Sequence, residues 1–267
     1  MLDELGIRPS KRLGQNFLVS SKAVESIRQA VVAENPRRIV EIGAGLGAVT
    51  RAIASLASEM TAIELDKRLV DALQRTVSDL PAVKVWSGDV LDFDFADSAS
   101  EGKSLVVGSI PYAITAPILQ HVVAGREYLS GAVLVTQAEV AEKVAASPGP
   151  SGSALGVLVR AFADVEILRR IKRGAFYPVP DVDSALWRVR FLESPRFTAP
   201  PDRFFAVVRA AYGVRRKMLR GALRSLASKD AIARALEEAG VEGTVRGETL
   251  GFEAFDRLAC ALQVDET

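Results

Sequence analysis

The chain contains few of the residues that bind metals or form disulfides. Its 267 residues include one cysteine, Cys260, and one histidine, His121. A single cysteine excludes an internal disulfide and a cysteine-cluster metal site, and it is typical of a reducing compartment. His121 falls in a helical pattern with Ile118, Leu119 and Val122, which indicates a surface or packing residue rather than a metal ligand. The sequence therefore predicts a protein without a metal site.

Long hydrophobic runs and a recognisable targeting segment are also missing. No apolar run approaches the roughly 18 residues that a membrane-spanning helix needs. The first residues are polar and mixed in charge, a pattern that is not typical of a secretory signal. Hydrophobic residues make up 49% of the chain and charged residues 25%, values typical of a globular protein with a full core. We therefore expect a cytoplasmic protein without a membrane partner.

The overall charge says little about partners, because the formal net charge is only +1 at pH 7. Its distribution is uneven, since residues 160–224 contain 15 Lys or Arg and 6 Asp or Glu. A local excess of this size suits a nucleic-acid phosphate backbone. Solvated faces of a thermophile-like protein would give the same excess, so both interpretations stand at this point.

Short apolar strands alternate with helical segments along the first two thirds of the chain. Strands are predicted at residues 38–42, 60–63, 83–86, 105–108, 132–136 and 165–171, with an alternating and antiparallel seventh at 184–191. Such an alternation predicts a parallel sheet with helices on both faces, an α/β fold. Prolines at positions 195, 200 and 201 then mark a boundary. We expect a main domain at residues 1–194, which includes an N-terminal arm, and a small all-α domain at 195–267.

Acidic residues and glycines lie where the predicted strands end. The first strand leads into the run EIGAGLG at 41–47, a glycine turn that lets backbone approach a nucleotide closely. Glu64 ends the second strand, 21 positions after Gly43, where a carboxylate can hold both ribose hydroxyls. Asp89 follows the third strand and suits an adenine amino group. Ligands of open α/β sheets bind outside these strand ends.

The fourth strand runs into the turn Ser109-Ile110-Pro111-Tyr112. The Ser109 hydroxyl and the backbone carbonyl next to Pro111 can accept hydrogen bonds from the exocyclic amino group of a base. Tyr112 offers a ring face on which that base can stack. An ordinary proline turn at a strand end has the same composition, so the turn alone does not decide the chemistry.

Two kinds of cofactor fit the glycine turn. The run GAGLGA at 43–48 matches the dinucleotide fingerprint, so an NAD-dependent dehydrogenase is an alternative. Glu41, however, is an unfavourable neighbour for a pyrophosphate and a favourable one for a cationic amino-acid group. Asp89 and the turn at 109–112 have no role in hydride transfer. A sulfonium cofactor with an adenosine and a methionine tail satisfies all three features.

Seven motifs occur in an order that resembles a known family. They are GQNFL (14–18), EIGAGLG (41–47), ELD (64–66), GD (88–89), SIPY (109–112), FYPVPDVDSA (176–185) and RRKML (215–219). Over about residues 8–225 they resemble the ribosomal RNA adenine N6-dimethyltransferases of the KsgA type. The related macrolide-resistance methylases share much of this pattern, but the runs at 11–16 and 178–185 are more similar to the first family.

The resemblance implies a class I, Rossmann-like methyltransferase with a seven-stranded, mostly parallel sheet and a small helical C-terminal domain. It implies S-adenosylmethionine as the methyl donor. The substrate would be two adjacent adenines near the 3′ end of small-subunit rRNA, each methylated twice by a monomer acting on the immature small ribosomal subunit. By position, the resemblance implies that Asn16, Leu18, Gly43, Gly45, Glu64, Asp89, Val90 and Ser109 would bind the cofactor. It implies that Ser109, Ile110, Pro111 and Tyr112 would hold the target base, with Phe176 on its other face.

Six cations are the expected RNA contacts, namely Lys11, Arg12, Arg215, Arg216, Lys217 and Arg220. The family usually carries Asn where this chain has Ser109, and a hydroxyl reaches less far than an amide. We therefore expect the second methylation to be affected more than the first.

Two alternatives remain, a resistance methylase that acts on large-subunit rRNA and a non-catalytic RNA-binding assembly factor. The intact glycine turn and the three strand-end acids argue against the non-catalytic alternative.

Overall fold

The structure, a computed structural model, describes residues 8–10, 13–99, 102–149, 151–214 and 217–262. Lys11, Arg12, Arg215 and Arg216, which are predicted to bind RNA, lie outside these ranges. The strands are β1 (Phe17–Leu18), β2 (Arg38–Ile42), β3 (Glu59–Glu64), β4 (Val83–Ser87), β5 (Ser104–Ser109), β6 (Leu129–Gln137), β7 (Ala163–Ile171), β8 (Phe176–Tyr177) and β9 (Ser184–Phe191). The helices are α1 (Ser21–Glu34), α2 (Ala48–Ile53), α3 (Lys67–Thr76), α4 (Thr115–Ala124), α5 (Ala138–Ala145), α6 (Ala154–Phe162), α7 (Pro201–Gly213), α8 (Leu219–Ala222), α9 (Lys229–Glu238) and α10 (Phe252–Ala261).

Seven strands form one mixed sheet with the order β4-β3-β2-β5-β6-β9-β7. The pairs β4–β3, β3–β2, β2–β5 and β5–β6 are parallel, and β9 runs antiparallel to β6. Strand β2 is buried along its whole length, as expected for a central strand of a sheet covered on both faces. The predicted α/β class with a seven-stranded, mostly parallel sheet is confirmed. Because the parallel strands end at one edge, their C-terminal residues come together there.

A two-stranded sheet that the periodicity did not reveal anchors the N-terminal arm. Strand β1 pairs antiparallel with β8, with Phe17 opposite Tyr177 and Leu18 opposite Phe176. Leu18 and Phe176 are buried and belong to the core cluster that also contains Ile27. Phe17 and Tyr177 point to the opposite face, because successive side chains of a strand alternate. The arm is therefore held against residues 176–177 and next to the edge where the parallel strands end.

The described residues form two compact units. One consists of the residues up to Ala141 together with Asp164–Phe191, and the other of Glu142–Ala163 together with the residues from Leu192 onward. The sequence predicts the boundary at residue 195, which leaves 142–163 in the first domain. Within the second unit, Arg196 donates from Nη1 to the Ala163 carbonyl at 2.7 Å. The ring of Phe162 also packs edge-on against that of Phe197, with centroids 5.5 Å apart. These contacts join 142–163 to the segment that leads into α7.

Neither a membrane-crossing helix nor a metal cluster is found along the described ranges. No helix there is long and apolar enough to cross a bilayer, and no three His, Cys, Asp or Glu side chains are grouped so that they could hold a metal ion. His121 lies in α4, where its Nε2 atom is 2.9 Å from the Phe93 carbonyl oxygen. Its ring also packs against Phe95, with centroids 4.9 Å apart.

Candidate active site

The ends of β2, β3 and β5, together with the turn after β4, open onto one cavity of about 940 Å³ within the first unit. A cavity of this volume lies at the upper end of the range for small-molecule sites, about 300–1,000 Å³. All the residues predicted to bind the cofactor or the target base line it: Asn16, Leu18, Gly43, Gly45, Glu64, Asp89, Val90, Ser109, Ile110, Pro111, Tyr112 and Phe176. The structure thus brings together residues spread over 160 positions of the chain, and their individual roles stay predictions.

The glycine turn after β2 presents backbone to the cavity. Gly43 and Gly45 have φ angles of 71° and 58°, a left-handed conformation that side-chain-bearing residues adopt at a cost of about 1–2 kcal/mol. A Cβ atom on Gly45 would lie 3.4 Å from two ring carbons of Phe17. The Phe17 ring therefore covers the turn from the arm side, and backbone atoms are left to approach a ligand from the cavity.

Glu64 at the end of β3 is held by two backbone N–H groups. Its Oε2 atom accepts from Gly45 N at 2.8 Å and its Oε1 atom from Asp66 N at 2.9 Å. Burial is the main cause that raises the pKa of Glu64, and these two hydrogen bonds oppose the shift. A carboxylate has about four acceptor positions, so both oxygens can still receive hydroxyl groups. The side chain is fixed in orientation and open to a ribose.

Two further acids belong to the same edge. Glu41 is fully buried, and burial raises its pKa to about 7, with a smaller contribution from the nearby Glu64 charge. The Thr50 hydroxyl donates to Glu41 Oε2 at 2.6 Å. Asp89 accepts from Leu91 N through Oδ1 at 3.0 Å, while its Oδ2 atom has no donor in the part of the chain that the structure describes. That free oxygen can accept from an amino group.

The turn after β5 contains one carbonyl that accepts hydrogen bonds from the protein and one that accepts none from the described residues. The Pro111 carbonyl accepts from Ile114 N at 3.2 Å and from the Thr115 hydroxyl at 3.2 Å, which uses both of its lone pairs. The Ile110 carbonyl has no protein donor within the described ranges, and neither has the Ser109 hydroxyl. Of the two carbonyls that flank the proline bond, Ile110's is thus the acceptor available to a ligand.

Aromatic residues surround this turn. The Tyr112 ring is partly exposed in the cavity, and its hydroxyl lies 2.7 Å from Ser184 Oγ. Phe176 is only 2% exposed and packs in the core, so stacking on the base stays a prediction for this residue. Tyr177, which belongs to the motif at 176–185 but has no role assigned from the sequence, lines the cavity with half of its surface exposed. Its position opposite Phe17 could not be read from a two-residue strand.

A hydrogen-bond chain ties the arm to the site. Ser10 N donates to Gln15 Oε1 at 2.7 Å, and Gln15 Nε2 donates to Asp66 Oδ2 at 3.0 Å. Hydrogen bonds from Arg68, with a further one from Gln15, lower the pKa of Asp66 to about 2. The Asp66 N–H also donates to Glu64. Asp66 therefore contacts both the N-terminal arm, through its carboxylate, and the buried Glu64, through its backbone. Gln15 was visible as part of a motif, but its partner 51 positions away was not.

Two of the predicted RNA-binding residues fall in the described ranges. Lys217 and Arg220 are both exposed in the second unit. Arg220 lies in α8, and Lys217 comes two residues before that helix. Their exposure leaves both cations available to a phosphate backbone.

Comparison with known proteins gives the site a chemical context. The family model described as "Ribosomal RNA adenine dimethylase" matches residues 7–260. The "Ribosomal RNA small subunit methyltransferase A" of Moorella thermoacetica is 38% identical, with 98% of this chain and 96% of the relative covered. The protein of the same name from Thermobifida fusca is 39% identical, with 96% and 91% covered.

Solved structures agree with the fold. The 23S rRNA methyltransferase ErmE has a TM-score of 0.71 at 27% identity, with 92% of this chain and 99% of that chain covered. A dimethyladenosine transferase from Plasmodium falciparum has a TM-score of 0.77 at 22% identity, with 91% and 95% covered, and is similar in fold.

The sheet order, the glycine turn and the strand-end acids around one cavity define a class I methyltransferase. The chain belongs to the ribosomal RNA adenine dimethylase family. The predicted activity, methylation of adenine in ribosomal RNA, is confirmed, and the dehydrogenase alternative is set aside.

Proposed function

We propose that this protein transfers methyl groups from S-adenosylmethionine to N6 of two adjacent adenines near the 3′ end of small-subunit rRNA, two groups to each adenine. The observation that carries the proposal is the meeting of two sets of residues in one cavity. The glycine turn with Glu64 and Asp89 suits an adenosine-containing cofactor, and the Ser109–Ile110 acceptors suit an amino group. The names of the relatives, 33–39% identical along nearly the whole chain, support the small subunit as substrate.

The hydrogen-bonding groups that line the cavity fit S-adenosylmethionine. Gly43 and Gly45 let the backbone approach the cofactor, Glu64 would accept from the ribose hydroxyls, and Asp89 would accept from the adenine amino group. Glu41 also lines the cavity and suits the cationic amino-acid end. When bound, the sulfonium supplies an electrophilic methyl group.

The turn after β5 prepares the adenine amine. In the first transfer the Ser109 hydroxyl and the Ile110 carbonyl accept one hydrogen bond each from the two N6 hydrogens, and in the second transfer the one remaining hydrogen is held by one of them. This arrangement draws the nitrogen lone pair out of conjugation with the purine ring and fixes its direction. Tyr112 stacks on the ring and holds its plane. Positioning and fixed dipoles supply the acceleration, and an uncharged amine needs neither a metal nor a strong base.

Binding of the RNA requires that the adenine leave its stack, at a cost of a few kcal/mol. Phosphate contacts from exposed cations such as Lys217 and Arg220 offset this cost. They also make the affinity fall with salt. We assign the helical C-terminal unit and the N-terminal arm to this contact, with a monomer acting on the immature small subunit in the cytoplasm.

A resistance methylase acting on large-subunit rRNA is the second candidate, because ErmE shares the fold at 27% identity. Labelled methyl transfer separates the two. We expect the label to enter unmodified small subunits and not large ones. Transfer to the large subunit alone would favour the second candidate. Binding of S-adenosylmethionine without transfer to either subunit, or calorimetric binding of NAD in its place, would contradict both.

A further inference from the structure

We propose that Ser184 is a positioning residue for methyl transfer, whose hydroxyl fixes the Tyr112 ring in the orientation that stacks on the target adenine. The inference rests on the proposed function and concerns a residue outside the motif that holds the base. Ser184 does not line the cavity, whereas Tyr112 does. Any effect of Ser184 on the base must therefore pass through the tyrosine.

The contact has the geometry of a strong hydroxyl pair. Tyr112 Oη and Ser184 Oγ are 2.7 Å apart, at the commonest distance for such hydrogen bonds. Ser184 is completely buried, while Tyr112 is partly exposed. The ring is thus held at its hydroxyl end by a group that solvent cannot reach, while Tyr112 itself lines the cavity.

The sheet explains how two residues 72 positions apart meet. Ser184 is the first residue of β9 and pairs with Gln137, the last residue of β6. Strand β6 also pairs with β5, where Ser109 lies opposite Val135. The start of β9 therefore reaches the same edge of the sheet as the end of β5.

The backbone before Ser184 is itself anchored. The Asp183 carbonyl accepts from Ala138 N at 3.0 Å. Its carboxylate accepts from Arg173 N at 3.0 Å and from Lys172 Nζ at 2.9 Å. Ser184 is thus a rigid support.

The tyrosine backbone is held separately from its ring. The Thr115 hydroxyl shares its one hydrogen between the Pro111 and Tyr112 carbonyl oxygens, at 3.2 and 3.3 Å, which fixes the main chain of the turn. The two side-chain torsions of Tyr112 are not fixed by that contact. Ser184 supplies the missing constraint, so the ring is oriented before the base arrives and less freedom is lost on stacking.

The first experiment is a double-mutant cycle on single-turnover methyl transfer with Ser184→Ala, Tyr112→Phe and the double variant. Each single change should lower the rate constant about three- to tenfold, the effect of one neutral hydrogen bond. The double variant should lose no more than either single one. Affinity for S-adenosylmethionine should stay within about twofold, since Ser184 lies outside the cavity. Unchanged rates in both single variants, or fully additive losses, would overturn the proposal.

A matched control separates positioning from stability. Ser104 is also completely buried, and its hydroxyl donates to the Ser98 carbonyl at 2.7 Å. It lies at the opposite end of β5 from the site. Ser104→Ala should lower the melting temperature without changing the rate constant. If Ser184→Ala does the same, its role is structural only and the inference is wrong. Tyr112→Phe keeps the question open to test even if Ser184→Ala fails to fold.

A titration tests the contact without RNA. Burial raises the pKa of Tyr112, and the Ser184 hydrogen bond opposes that shift. Ultraviolet titration of the phenol, assigned by its loss in Tyr112→Phe, should show a higher midpoint in Ser184→Ala. An unchanged midpoint would overturn the proposal whatever the activity. A wild-type protein that shows this difference but methylates no rRNA would instead contradict the proposed function.

Discussion

Glu41 makes stability depend on pH in a range where few other groups titrate. Burial raises its pKa from the usual 4.5 to about 7 in the folded chain. The folded state therefore binds this proton more tightly than the unfolded state. The contribution of Glu41 to the free energy of unfolding is fully present below about pH 4.5 and is lost as the pH rises through 7. A difference between 4.5 and about 7 corresponds to about 3 kcal/mol, at about 1.4 kcal/mol per tenfold change.

The substitution Glu41→Gln removes this ionisation. Glutamine keeps a side-chain oxygen that can accept from the Thr50 hydroxyl, which in the wild type lies 2.6 Å from Glu41 Oε2. Urea unfolding at constant ionic strength should show that the wild type loses about 3 kcal/mol between pH 5 and pH 8. Glu41→Gln should vary by less than about 1 kcal/mol over the same range, apart from the smaller contribution of Glu64, whose pKa is also raised.

Asp79→Asn serves as the control for this prediction, because Asp79 is exposed and its Arg51 hydrogen bond lowers its pKa. That variant should keep the wild-type slope between pH 5 and pH 8. If Glu41→Gln also keeps the slope, Glu41 is ionised in the folded protein and the reasoning from burial fails.

Three further predictions concern the cavity. Glu64→Gln must turn its amide nitrogen toward one of two backbone donors, so calorimetry should show at least about tenfold weaker binding of S-adenosylmethionine; unchanged affinity would contradict the assigned role. Tyr112→Ala should abolish methyl transfer and leave cofactor affinity nearly intact, whereas an equal loss of both would contradict base stacking. Gln15→Ala breaks the hydrogen bond to Asp66, so the same titration should show about threefold to tenfold weaker cofactor binding, and no change would show that the arm does not support the site.

The sheet and the strand-end residues could be predicted because local patterns determine them. Strand β2 and strand β9 lie where the apolar run and the alternation placed them. Once the strands are parallel, Glu64 and Asp89 must meet at one edge. The polar turn after β5 follows from the same argument.

Contacts between distant segments could not be predicted. The pairing of β1 with β8 joins two-residue strands that are too short to show a period. The Tyr112–Ser184 contact depends on two strand pairings, that of β5 with β6 and that of β6 with β9. The choice of the Ile110 carbonyl over that of Pro111 depends on where the Thr115 hydroxyl lies. Residues 142–163 pack with the C-terminal helices through contacts that composition does not reveal.

The measurement that tests the central claim most directly is the number of methyl groups on each adenine. Unmodified small subunits would be treated with wild-type protein, Ser109→Asn or Ser109→Ala, and the rRNA fragments weighed by mass spectrometry over time. We predict that the wild type places two methyl groups on each of two adjacent adenines, that Ser109→Asn speeds the second transfer, and that Ser109→Ala slows both. Small-subunit rRNA that stays unmodified, or a Ser109→Ala variant as fast as the wild type, would contradict the claim that the turn after β5 binds the adenine amino group.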